Sequence, residues 1–349
     1  MRLGLNLGYW GAGNDAANLE LAREADRLGF SVVWAAEAYG SDAPTVLSWV
    51  AAQTTRIDVG SAILQIPART PAMTAMTAAT LDSLSGGRFR LGLGVSGPQV
   101  SEGWHGVRFD KPLGRTREYV DIVRSALRRD RLRYAGEHYV LPLPDGPGKA
   151  LTLTVHPVRA EIPVYLASVG PRNVELTGEI ADGWLGVFHS PEHSGESLAQ
   201  LAKGRAKVGK TLDGFDVVPT VPLSVGDDWR ACADAVRPYA ALYVGGMGSR
   251  EKNFYNDLAV RMGFAEEAAL VQDRYLARDH AGAIVAVPTD FVDATSLLGP
   301  RERLAEKMVA YAESGVTTLT LLPMLQDLAH GVAALRTATE ALELSGVGS

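Results

Sequence analysis

Apolar runs of strand length alternate with longer stretches of helical period through almost the whole chain. Residues 3–7 are strand-like, and 15–28 carry Leu19, Leu21, Ala22, Ala25 and Leu28 at helical spacing before Gly29. The same rhythm gives strand 32–36, helix 43–54, strand 57–64, helix 70–84, strand 89–94 and helix 113–129. It resumes with strand 163–167, helix 171–181, strand 184–188 and helix 191–208. Strand 217–225, helix 301–314, strand 317–322 and helix 327–344 complete it. Such βα repeats require right-handed crossovers and a parallel sheet. Eight strands, near Leu3, Val32, Val59, Phe89, Val164, Leu185, Val218 and Leu319, fit one α/β domain over 1–349, a (β/α)8 TIM barrel with insertions. Four joints place Gly29, Gly86, Gly183 and Gly315 between a helix and an apolar strand. They read as one device, since glycine takes the left-handed conformation that ends a helix. A doubly wound sheet needs a glycine-rich turn after strand 1, which Gly8, Gly11 and Gly13 offer, and an acidic residue closing strand 2, which no convincing position supplies.

Two stretches depart from the rhythm. Residues of about 130–161, rich in proline and glycine, read as an inserted excursion with a hairpin, and about 228–300 as a helical insertion, with one long helical stretch over 228–280. The hydrophobic share of 46% is ample for a large core. A net charge of -6 with scattered basic residues gives no electrostatic case for nucleic acid or an anionic membrane. Cys232 is the only cysteine, which leaves neither a disulfide framework nor a thiolate metal cluster and suits a reducing cytoplasm. No apolar run reaches the length of a membrane span, and the first strand begins too early for a leader, so a soluble cytoplasmic protein is expected.

In a barrel the loops after the strands face the ligand. Strand 57–64 runs straight into a helix: Pro67 and Pro71 stop ladder pairing, and Thr70 is placed to cap a helix whose first residue is Pro71. Loop 1 offers Asn6, Tyr9 and Trp10, and loop 2 offers Glu37, Tyr39 and Asp42. Loop 4, residues 94–106, is long and glycine-rich, so backbone can approach a ligand closely. Loop 5 is the sharpest: Ala167, Ser168, Val169, Gly170, Pro171 and Arg172 end a strand and open a helix with proline at its first position. Unpaired N–H groups and the helix dipole there attract phosphate, with Ser168 and Arg172 as further donors. Barrel phosphate sites more often follow strands 7 and 8. The histidines show no metal-binding spacing and no serine elbow appears, which favours a phosphorylated organic cofactor and no metal. Tyr9, Trp10, Trp104 and His105 are candidates for a substrate pocket, and packing serves each of them equally well.

Segments 33–38 (VWAAEA), 62–71 (AILQIPARTP), 81–89 (LDSLSGGRF), 91–97 (LGLGVSG) and 178–183 (GEIADG) together resemble the bacterial luciferase-like superfamily, and within it the oxidoreductases that use the deazaflavin coenzyme F420. The likeness runs from 3–7 (LGLNL) to 319–323 (LTLLP). It implies a barrel, and a non-prolyl cis peptide between Ala62 and Ile63 that, with Leu64, bulges against the cofactor ring. It implies ring or ribityl contacts from Val95, Ser96, Gly97 and Pro98, and a phosphate held by Ser168 to Pro171. A His and a Glu found beside the reactive carbon in some relatives are missing, since Ala38 stands for the His and 96–98 lacks the Glu. Glu37 is the best local carboxylate, so it and Tyr9 are the candidate proton relays. Arg69, Lys111 or Arg172 would meet the acidic F420 tail, and Ala72, Met73, Ala75, Met76 and Ala79 would build a homodimer face. Reduced FMN with oxygen is the alternative cofactor chemistry, and a non-catalytic barrel binding a phosphorylated ligand is a third reading.

Overall fold

The computed structural model describes residues 1–8, 10, 15–159 and 161–349. Eight parallel strands close on themselves: β1 (Arg2–Asn6), β2 (Val32–Ala35), β3 (Asp58–Ser61), β4 (Phe89–Gly94), β5 (Val164–Ala167), β6 (Gly183–Val187), β7 (Asp216–Val225) and β8 (Thr318–Pro323). Each pairs with its sequence neighbours and β8 pairs with β1, so no edge remains and the doubly wound alternative is excluded. The outer ring is α1 (Asp15–Leu28), α2 (Ala43–Gln53), α3 (Pro71–Leu84), α4 (Pro112–Leu127), α5 (Pro171–Ile180), α6 (Gly195–Lys207), α7 (Arg301–Glu313) and α8 (Leu328–Ser345). Thr70 caps α3 as expected, accepting from the Met73 amide.

Strand alternation divides the core. Leu3, Leu5, Val33, Val59, Leu91, Val217 and Leu319 face the helices, whereas Val32, Trp34, Tyr165, Leu185 and Val218 fill the lumen. Trp34 fits only because Gly60 has no side chain, since a Cβ there would lie 2.3 Å from the indole. At the amino ends of the strands, Arg90 meets Asp58 (2.8 Å) and Asp216 (3.2 Å), and Asp216 also accepts from Arg2 and the Tyr165 hydroxyl, both at 3.0 Å. This buried polar plug closes one end of the barrel and leaves the other for a ligand.

Three details differ from expectation. Strand 57–64 is interrupted: pairing to β4 runs through Gly60↔Arg90 and resumes at Leu64↔Leu93, one residue longer on the β3 side. That extra residue makes a β-bulge, and the Ala62–Ile63 bond within it is cis. Gly29, Gly86 and Gly315 take positive φ, but Gly183 opens β6 beneath the Tyr165 ring, while α5 ends on an extended Ala181. The stretch 228–280 is not one helix. Helix Trp229–Ala241 runs into a π turn, Leu242–Gly246, and the chain restarts at Asn253, which caps helix Phe254–Arg261. Helices Ala265–Leu276, His280–Ala286 and Thr289–Ala294 follow, and strand Leu297–Gly299 adds to the end of β7. The excursion carries the expected hairpin, Tyr134–Ala135 with Val140–Leu141.

Candidate active site

The carboxyl ends of the strands gather loops 2 to 5 around the bulge. Glu37, directly after β2, is buried and engaged: Arg69 reaches it with both terminal nitrogens (2.7 and 2.8 Å), and the amides of Ala43 and Gln65 donate to it at 3.3 Å. Arg69 also donates to Asp42 (2.7 Å). Burial opposes the Arg69 charge, but hydrogen bonding and attraction to Glu37 and Asp42 hold its pKa above the usual range. Glu37, the expected proton relay, thus ties loop 2 to loop 3 through Arg69, which was expected to meet an acidic tail. Lys111 is likewise paired, with Glu137.

Gln65 was not singled out from the sequence, yet it joins the two positions at which the His and Glu of relatives are missing. Its side-chain amide donates to the Ala38 carbonyl and its carbonyl accepts from Ser96 Oγ (2.7 Å). Ala38 (φ 53°) and Ser96 (φ 62°) both take left-handed backbone, uncommon for such residues. The only sequence signal for Gln65 is a polar residue set between the apolar strand 57–64 and Ile66.

Between these loops the lumen is shallow and apolar. Ala62, Ile63 and Ala167 sit half-buried above the Trp34–Tyr165 pair. A Cβ on Gly94 would lie 2.9 Å from Ile63 Cγ1, so glycine there lets the bulged Ile63 side chain pack down onto β4. Leu64 is buried in the main core; Val95, Gly97 and Pro98 are half-buried, and Gly97 precedes the short helix Pro98–Gly103.

Loop 5 has the predicted shape with one correction. Gly170 caps α5 without any side-chain bond, Pro171 is the first helical residue, and nothing lies within 4 Å of a Cβ built on Gly170. Ser168 does not face outward: its hydroxyl pairs with Thr177 (2.8 Å), and its carbonyl accepts from the Trp184 indole (2.9 Å). Arg172 is exposed and makes no hydrogen bond or ion pair among the described residues. A cation at a helix start opposes the dipole, a conflict that a bound anion relieves. Arg261, from the insertion, donates to the Val169 carbonyl (3.2 Å). It also pairs with Glu196 (3.6 Å) and borders a shallow cleft lined by Val169, Pro171, His193 and Glu196. A slot of small apolar groups beside a donor-rich helix start fits a flat, phosphorylated cofactor.

His189 supports loop 5 from behind, its ring 5.7 Å from that of Trp184 and 6.2 Å from Tyr311. Burial lowers its pKa from 6.5 to about 4. Below about pH 6.5 the unfolded chain takes up a proton that the folded chain refuses until about pH 4. Stability therefore falls across that window, by up to roughly 3 kcal/mol. Urea midpoints measured from pH 7 to 4.5 should drop more steeply for the native chain than for His189→Phe; parallel slopes would contradict the assignment.

The residues expected to line a substrate pocket are placed as follows. Trp10 is buried edge-on against Trp49 of α2 (5.6 Å), Trp104 is 67% exposed, His105 is half-buried, and Tyr9 lies outside the described residues. Rings from the insertion also pack near the carboxyl end of β6. Tyr239, Tyr243 and Tyr255, each half-buried, pack on Phe188 immediately after β6, at 5.5, 5.7 and 6.3 Å. Phe254 approaches Phe109, just after loop 4, at 6.5 Å. Spacing alone gave no reason to bring residues 239–255 to loop 6.

A closed barrel whose third strand bulges at a cis bond, with an uncapped helix start after the fifth strand, is the architecture of a luciferase-like protein, and this chain belongs to that family. The luciferase-like monooxygenase model matches residues 9–318. The chain is 42% identical to a putative coenzyme F420-dependent oxidoreductase of Mycobacterium tuberculosis, over 96% of this chain and 99% of that protein. It is 27% identical to the 5,10-methylenetetrahydromethanopterin reductase of Archaeoglobus fulgidus, over 84% and 85%. In fold it is similar to the F420-dependent tetrahydromethanopterin reductase of Methanopyrus kandleri, with a TM-score of 0.81, 23% identity and 96% of each chain covered.

Proposed function

We propose that this chain is a coenzyme F420-dependent oxidoreductase moving a hydride between the deazaflavin and a small organic substrate with a carbonyl, imine or activated alkene. The observation that carries the reading is the uncapped start of α5, where the exposed Arg172 makes no ion pair among the described residues, beside a cleft bordered by Arg261, itself paired with Glu196; F420 extends past its phosphate into an acidic tail that FMN lacks. When bound, the deazaflavin would supply a two-electron hydride centre in which carbon replaces the flavin nitrogen on which oxygen chemistry depends. The chain's own residues do the rest. The bulge and Gly94 shape the slot, Gly170 to Arg172 hold the anion, and the Glu37–Arg69 clamp with Gln65 fixes loops 2, 3 and 4 around it. Glu37, held by Arg69, and Tyr9 are the candidates for the proton relay.

Two measurements test this. Reduced F420 mixed anaerobically with enzyme and a ketone should regain its oxidised absorbance, whereas oxygen uptake driven by reduced FMN would sink the reading. Arg172→Glu should weaken F420 binding by roughly tenfold to a hundredfold, the weight of one charge-assisted contact. The phosphate-free deazaflavin fragment should lose little affinity, and equal losses for both ligands would remove Arg172 from the anion site.

We also propose a homodimer paired through α2 and α3. Trp49, Met73, Met76 and Leu84 are exposed there, whereas Ala75 and Ala79, expected on the same face, are buried against the barrel. The double substitution Met73→Arg and Met76→Arg should shift sedimentation from dimer to monomer; a native chain already monomeric at micromolar concentration would refute the pairing.

A further inference from the structure

We infer that Tyr239, Tyr243 and Tyr255 form the substrate-facing wall of the barrel mouth, and that the substrate they select carries a flat, conjugated ring system. This rests on the hydride-transfer reading and adds the substrate class. The three rings are mutually arranged: Tyr239 and Tyr243 lie 4.6 Å apart at 41°, and Tyr255 stands edge-on to Tyr243 at 4.9 Å and 83°. Phe188, their common base, is almost fully buried and takes left-handed backbone (φ 48°) immediately after β6. The wall therefore stands over the carboxyl end of a barrel strand, where ligands bind in this architecture.

The local backbone is built to present these rings. Tyr243 lies in the π turn 242–246, a rare deviation concentrated at functional sites. The turn is held by specific residues: Asn253 Nδ2 donates to the Tyr243 and Val244 carbonyls (3.0 and 2.9 Å), and Asn256 Nδ2 to Val244 (3.1 Å). Gly245 and Gly246 press against Tyr275, where added Cβ atoms would stand 2.6 and 2.3 Å from it. All three tyrosines pack on the insertion's apolar core and remain only half-buried, which leaves part of each ring uncovered. Aromatic surfaces of this kind favour flat π-systems over saturated groups of equal size.

Binding of methyl naphthyl ketone and of its fully saturated decalinyl counterpart, measured by ligand-observed NMR on the full chain with and without F420, tests this directly. The naphthyl ketone should bind about tenfold tighter than the decalinyl one. Tyr243→Leu and Tyr255→Leu should each erase that preference, Tyr243→Phe should retain it, and F420 affinity should stay unchanged in all three as evidence that the fold is intact. Equal binding of the two ketones, binding of neither, or a preference surviving both leucine variants would overturn the inference. A native chain that binds no F420 yet prefers the naphthyl ketone would instead refute the cofactor reading and leave the wall standing.

Discussion

Gly92→Ala is expected to cost about 3 kcal/mol or more, at the upper end of what overpacking does to a core, and to leave little soluble protein. Gly92 lies on β4 opposite the bulge, where a Cβ would fall 1.8 Å from the Ser61 carbonyl oxygen and 2.9 Å from Leu185 Cδ1. The nearer atom is backbone in a buried strand, so it cannot swing aside as a side chain would. The bulge has also removed ladder partners here, and the buried Ser61 hydroxyl replaces them, accepting from the Gly92 amide (2.9 Å) and donating to the Gly92 carbonyl (2.8 Å). Pushing the two strands apart would break both bonds. Gly103→Ala, with nothing within 4 Å of the added methyl, is the matched control and should melt like the native chain. Denaturant midpoints within about 0.5 kcal/mol of each other for the two variants, the ordinary scatter of surface changes, would mean that the close approach is not there.

Asp216→Ala is expected to destabilise by about 3–5 kcal/mol, the usual effect of stripping one member from a buried ionic cluster. Besides Arg2, Arg90 and Tyr165, the Asp216 carboxylate accepts from the hydroxyls of Thr317 (2.5 Å) and Thr318 (2.9 Å). Without it Arg90, whose side chain is 8% exposed, keeps only Asp58 to offset its charge. The double variant Asp216→Leu with Arg90→Met, which removes the charges together, should recover much of the loss. Because the plug lies at the end of the barrel away from the site, F420 affinity of the folded fraction should not move. A loss below 1 kcal/mol, or weaker cofactor binding in protein shown to be folded, would contradict this separation of roles.

The barrel was legible in the sequence because parallel strands buried on both faces must be continuously apolar, and helices between them must keep a period. Short runs such as 32–35 and 164–167 can be nothing else once the rhythm repeats. Loop 5 was legible for a local reason: Gly170, Pro171 and the end of β5 define a helix start without reference to anything distant. The remainder depends on pairing across the chain. Glu37 looked like a free carboxylate until Arg69 folded onto it. Ser168 looked like a phosphate donor until Thr177 claimed its hydroxyl. The aromatic wall was hidden because its π turn is set by residues up to thirty positions away, such as Tyr275, and no period announces it. Met73 and Met76 could be told from Ala75 and Ala79 only once the face of α3 against the barrel was known.

Equilibrium binding of F420 and of FMN to the purified chain, followed by fluorescence at matched ionic strength, tests the central claim most directly. Micromolar binding of F420, with FMN at least about a hundredfold weaker, a gap of roughly 2.7 kcal/mol, is the result expected from a cleft that receives an acidic tail beyond the phosphate. Equal or tighter binding of FMN would contradict it and assign the barrel to flavin chemistry.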